Sequence, residues 1–111
     1  MDPRGVMLLF GAIVFELIGT NALKAADGLT RPLPTFLVIA GYSASFYLMS
    51  LSLRTIPLGI AYAIWSGLGT AAIAIIGVMV WREQLNLAGV IGIVLIIAGV
   101  VLLNMFGGGE G

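Results

Sequence analysis

Hydrophobic residues run through this chain in four long blocks, and charge marks where each one stops. The first, Gly5 to Leu23, ends at Lys24, after which Asp27-Gly28 and Arg31-Pro32-Leu33-Pro34 read as a polar turn. The second, Thr35 to Leu53, carries no charge and ends at Arg54. Pro57 suits the first turn of a third element, where its missing N–H would be unpaired anyway, and that block continues to Val80, before Trp81-Arg82-Glu83. The fourth runs from Leu87 to Phe106. A helix of about 20 residues, at ~1.5 Å per residue, covers the ~30 Å hydrocarbon core of a bilayer. The pattern therefore predicts an all-α membrane protein with spans at 5–23, 35–53, 57–80 and 87–106, making one transmembrane domain over 1–106. Residues 107–111 read as a flexible Gly-rich tail. No extramembrane domain remains, so any activity is expected within the bilayer or along its faces.

Composition sharpens this picture. Of 111 residues, 60% are hydrophobic and 9% charged, with a mean hydropathy of +1.16. A soluble domain of this size could not cover so much apolar surface with so few charges. There is no Cys and no His, which argues against disulfides, thiol catalysis, haem and the usual zinc sites. No metal or cofactor is expected, nor an enzyme, since no nucleophile–base pair is present. The net charge is zero without a basic run, so a nucleic-acid partner has no support. The N-terminus does not read as a cleavable signal, because the first apolar block contains Glu16 and no clean cleavage site follows.

Charge also bears on orientation. With four spans, Arg4 and Arg54 share one side of the membrane, while Lys24, Arg31 and Arg82 share the other. A bias of one basic residue instructs topology only weakly. One reading is a single orientation; the other is insertion both ways, giving an antiparallel dimer. Transporters often contain inverted repeats with the substrate site between them, and two oppositely inserted copies of this short chain would supply the same symmetry.

Candidate chemistry centres on Glu16, near the middle of the first span, where an ionised carboxylate is costly and marks a functional site by default. Helical spacing puts Ala12, Gly19 and Thr20 on its face, small enough to leave space near the carboxyl group. An acid there can hold a proton or, when ionised, a cation. The plainer alternative is a permanently protonated carboxyl bonded to Asn21 or to a serine of another span. In the third span Tyr62, Trp65, Ser66 and Gly69 share a face. An indole and a phenol near a lone carboxylate make a box for an organic cation; ordinary packing is the alternative. Trp81, beside Arg82, fits the interfacial aromatic belt. Gly67 and Gly69 fit either close packing or a bend. Tyr42 and Ser45 share a face of the second span at a depth comparable with Glu16. The fourth span has no ionisable group, and its Gly92 and Gly99 notches fit a dimerisation helix.

These residues resemble the small multidrug resistance family of bacterial inner-membrane exporters. The likeness rests on Glu-Leu-Ile-Gly-Thr (16–20), Lys24, Asp27-Gly-Leu-Thr-Arg31 and Ile-Pro-Leu-Gly-Ile-Ala-Tyr-Ala-Ile-Trp-Ser-Gly-Leu-Gly (56–69), and it covers essentially the full chain. The resemblance implies a dual-topology antiparallel homodimer that exchanges protons for cationic aromatic compounds by alternating access. It further implies that the two copies of Glu16 form a shared proton and substrate site, lined by Tyr42, Ser45, Tyr62 and Trp65. Gly67 and Gly69 would bend the third helix, and the fourth helices would hold the dimer together. Gly19 and Trp65-Ser66 look like the multidrug branch, whereas the guanidinium-exporting branch tends to carry Trp and Trp-Thr there. Val6 and Phe15 depart from the multidrug pattern, which carries an aromatic and a small residue at these positions. The competing readings are export of guanidinium or another small cation by the same fold, and a non-transporting membrane subunit.

Overall fold

The computed structural model describes residues 2–107 and contains four long helices joined by short turns. They are α1 (Pro3–Ala25), α2 (Pro32–Ser52), α3 (Leu58–Met79) and α4 (Leu87–Leu102). Each is long and apolar enough to cross a membrane, α4 together with the turn that follows it. Of the expected tail, Gly107 falls in that turn and residues 108–111 lie outside the described residues.

Prolines explain where the helices begin. Both α1 and α2 carry proline at the start of the first turn, where no backbone N–H is needed. As a result α1 starts two residues before Gly5, and α2 takes in Pro32-Leu33-Pro34, a segment that its composition assigns to the turn. Pro57 is the residue before α3 rather than its first, with extended backbone (φ −58°, ψ 143°). Asn86 caps α4 by accepting from the Gly89 N–H at 2.8 Å. After Leu102 the helix widens into a π-helical turn, Leu103–Gly107.

The turn between α1 and α2 is tightly wound. Asp27, Gly28 and Leu29 all take left-handed backbone (φ 50°, 70° and 65°), and the N–H groups of Thr30 and Arg31 close the turn on the Ala26 carbonyl at 3.0 and 3.2 Å.

The helices form a slab of 46 × 35 × 17 Å. Its radius of gyration, 15.0 Å, exceeds the ~13 Å expected of a compact chain of this length. In this layer α1 lies between α2 and α3, and α4 packs against α3. The α1–α2 seam is the tightest: a Cβ on Gly41 would come within 3.0 Å of the Gly19 backbone, so only glycine permits that approach. Ser45, fully buried, donates to the Ala12 carbonyl across the same seam at 2.6 Å. The core joins Leu9, Ala12, Met49, Ile56, Ala61, Ile64 and Val100. Most other large apolar side chains face outward, as suits a lipid surroundings.

Candidate functional site

Glu16 lies half-buried on one face of the slab, where α1 meets α3. Its Oε2 accepts from Thr20 Oγ1, one turn on, at 2.5 Å. Thr20 Oγ1 also stands 2.7 Å from the Tyr42 hydroxyl. A threonine has a single O–H to give, so with that proton on the carboxylate it is Tyr42 that donates to Thr20. The order is Tyr42, Thr20, Glu16, and it links α2 to the acid on α1. On the opposite side the other carboxylate oxygen rests against Gly69: a Cβ there would lie 2.8 Å from Glu16 Oε1. Glycine at position 69 is thus what admits the carboxyl to α3.

Glu16, Trp65, Ser66, Gly69, Thr70 and Ile73 line an open groove of about 190 Å³. The Trp65 indole N–H is buried and has no hydrogen-bond partner among the described residues, an uncommon state for a buried donor. The Trp65 ring packs at tilted angles on Tyr62 (centroids 5.5 Å apart) and Phe46 (6.0 Å), and Phe46 continues to Tyr42 (6.4 Å). This aromatic string runs from α2 to α3. The five basic residues, Arg4, Lys24, Arg31, Arg54 and Arg82, all stand at helix ends or in turns. Three larger cavities among the described residues are lined without Glu16.

The structure therefore brings Glu16, Tyr42, Trp65 and Gly69 together, with Tyr62 exposed at the edge beside Trp65. Ala12 and Ser45 sit in the α1–α2 seam, bonded to each other with no free surface, and Gly19 lies beneath the Tyr42 ring. α3 runs unbroken through Gly67 and Gly69; Gly67 makes room for Val100 of α4, as Gly69 does for Glu16. Gly92 and Gly99 face open space, and Val100 is the one buried residue of α4.

Three features escape a reading of the sequence. Thr20 holds the acid rather than merely leaving space, a role that its i+4 spacing from Glu16 permits. Phe46, one turn beyond Tyr42, bridges the aromatic groups. Asn21 does not reach Glu16; it donates to the Leu17 carbonyl at 2.8 Å and accepts from Trp81 Nε1 at 2.9 Å. Lys24 Nζ stands 5.2 Å from the Trp81 ring centroid. Trp81 is therefore a tie between the ends of α3 and α1.

Four helices long and apolar enough to cross a membrane, the first carrying an acid that faces a groove beside Trp65, define a small multi-pass membrane protein. The chain belongs to the Small Multidrug Resistance family, whose profile matches residues 4–96. It is 50% identical to the multidrug resistance protein EbrA of Bacillus atrophaeus, over 90% of this chain and 95% of that one. The quaternary ammonium compound-resistance protein QacE of Escherichia coli is 45% identical over 92% and 93% of the two chains. A multidrug transporter of Pseudomonas aeruginosa is 42% identical over 90% and 91%. Membership sets this chain among membrane transporters rather than enzymes.

Proposed function

We propose that the chain is a proton-coupled antiporter that exports lipophilic, quaternary ammonium and aromatic cations by alternating access. In this reading it works as an antiparallel homodimer in the bacterial inner membrane. The observation that carries the reading is the Glu16 carboxyl, held by Thr20 and facing a groove beside the unpartnered Trp65 N–H. An ionised carboxylate among aromatic faces attracts an organic cation through charge and ring quadrupoles together. The same carboxyl binds a proton, so proton and cation compete for one group and coupling needs no second site. Two protons leave the paired Glu16 side chains, one cation takes their place, and the loaded dimer changes the side to which it opens. Each state is favoured by the ligand that binds it better.

Two features support the second copy. The groove of one chain, about 190 Å³, is smaller than the ~300–1,000 Å³ typical of drug-sized sites. The open glycines of α4 also leave a surface that another helix can approach closely. The cation class rests on the relatives, whose names specify multidrug and quaternary ammonium resistance.

The test is proton release from weakly buffered purified protein on addition of tetraphenylphosphonium, paired with uptake into liposomes under a proton gradient. The native protein releases protons and transports; Glu16→Gln does neither. Proton-driven transport persisting in Glu16→Gln would refute the mechanism, and no transport by the native protein alone would favour a subunit role.

A further inference from the structure

Arg4, in the first turn of α1, and Arg54, just after α2, line one cavity of about 640 Å³ at the end of the slab. Gly5 is what brings them together. A Cβ at that position would strike Thr55 Oγ1 and crowd Ile56, so its absence lets the start of α1 lie against the α2–α3 turn. Asp2 and Thr55 share the rim, while Leu8 and Leu51 line the apolar wall below. A second cavity, about 400 Å³, shares Arg4 and Leu8 with the first and continues past Met7, Gly11 and Leu48. The two form one groove between α1 and α2, basic at its mouth and apolar along its depth. At ~100° per residue, Arg4, Leu8 and Gly11 lie ~80–140° around α1 from Glu16. The groove therefore opens away from the acid.

We propose that this groove binds an anionic phospholipid, with its phosphate between Arg4 and Arg54 and one acyl chain along Leu8, Gly11 and Leu48. Guanidinium groups match phosphate oxygens in a bidentate fork, and basic pockets between transmembrane helices hold acidic headgroups. The three charged residues of the rim sum to +1 (two Arg, one Asp), which selects a headgroup of net negative charge over a zwitterion. Asp2 makes no side-chain hydrogen bond to α1, so the positive end of that helix dipole also meets the mouth. Arg4 and Arg54 stand at the ends of α1 and α2, with Leu8, Leu48 and Leu51 further along the helices; that order, charge at the end and apolar wall beyond it, selects a lipid over a soluble anion.

Native mass spectrometry of delipidated full-length protein, titrated with phosphatidylglycerol and chain-matched phosphatidylcholine, tests the proposal. The expected result is one phosphatidylglycerol per chain, held at least ~10-fold more tightly than phosphatidylcholine, about one good charge-assisted contact. Arg4→Gln with Arg54→Gln brings the two lipids level, whereas Arg4→Lys with Arg54→Lys keeps the preference. Met7→Trp, at an exposed position on the apolar wall, weakens retention with both arginines in place. Tetraphenylphosphonium binding by the glutamine variant reports that its fold is intact. The proposal is overturned if the native protein holds both lipids equally, or if the glutamine variant keeps the preference. It is also overturned if glycerophosphoglycerol without chains binds as well, or if Met7→Cys cross-links two copies through this face.

Discussion

Replacing Thr20 with valine tests how the acid is held. The side chain keeps its shape and loses its hydroxyl, which stands 2.5 Å from Glu16 Oε2 and 2.7 Å from the Tyr42 oxygen. A hydrogen bond to a charged group contributes ~1.5–3 kcal/mol. At 1.4 kcal/mol per factor of ten, its loss weakens binding that requires the ionised carboxylate by roughly 10- to 100-fold. Tyr42→Phe removes only the outer link, between two neutral hydroxyls, worth ~0.5–1.5 kcal/mol or roughly 3- to 10-fold. Tyr42 acts on the acid through Thr20, so once Thr20 has become valine, Tyr42→Phe has nothing further to remove. The double variant should then bind like Thr20→Val alone, with a coupling energy close to the whole Tyr42→Phe effect. The assay is calorimetric titration of tetraphenylphosphonium into each purified variant at one pH. Additive losses would mean that Tyr42 acts on the cation independently of Thr20. A Thr20→Val protein that binds like the native one would refute the reasoning altogether.

Gly69→Ala places a Cβ 2.8 Å from Glu16 Oε1, so the carboxyl must swing away; cation binding should fall by more than ~10-fold in the same titration. Circular dichroism should show helix content intact or improved in that variant, since alanine in a helix is favoured over glycine by ~1 kcal/mol. Leu29→Asn, at a left-handed and exposed position (φ 65°), should raise the unfolding free energy in a detergent titration by ~1 kcal/mol, because asparagine tolerates that backbone better than leucine. Gly92→Leu with Gly99→Leu fills the open notches of α4; the proposed dimer should lose population on native gels and cation binding with it, while Glu16→Gln should leave the dimer in place.

The four helices were legible because charge is sparse and, Glu16 apart, stands outside the apolar blocks or at their ends. Their first residues were less so. Charge and proline mark the end of apolar sequence, yet Pro32 and Pro34 sit inside the first turn of α2, where a missing N–H costs nothing. Within the site, Glu16 and Trp65 stood out because an acid and an indole away from the interface are unusual at membrane depth. Thr20, Phe46 and the Asn21–Trp81 tie did not, since their roles depend on which helix faces which. Periodicity assigns residues to a face of one helix, but it carries no information about the neighbour which that face meets. Ser45 shows the consequence: it shares a stripe with Tyr42 on α2, but its hydroxyl is spent on the Ala12 carbonyl.

The half-exposure of Glu16 links the fold to the proposed mechanism. Glu16 lies only half-buried on one face of the slab, beside the unpartnered Trp65 N–H, so its own chain shelters the carboxyl on one side only. Facing acyl chains, a carboxylate would cost several kcal/mol, because hydrocarbon offers no hydrogen bonds in return. In the proposed dimer a second copy would remove that cost by covering the face, and it would bring a second carboxyl to the same cavity. One cation can then be shared by two acids, while two protons are needed to neutralise the empty site. In this reading the stoichiometry of exchange follows from the incomplete burial of the acid: a chain that leaves its own carboxyl half-exposed is completed by a copy that carries another.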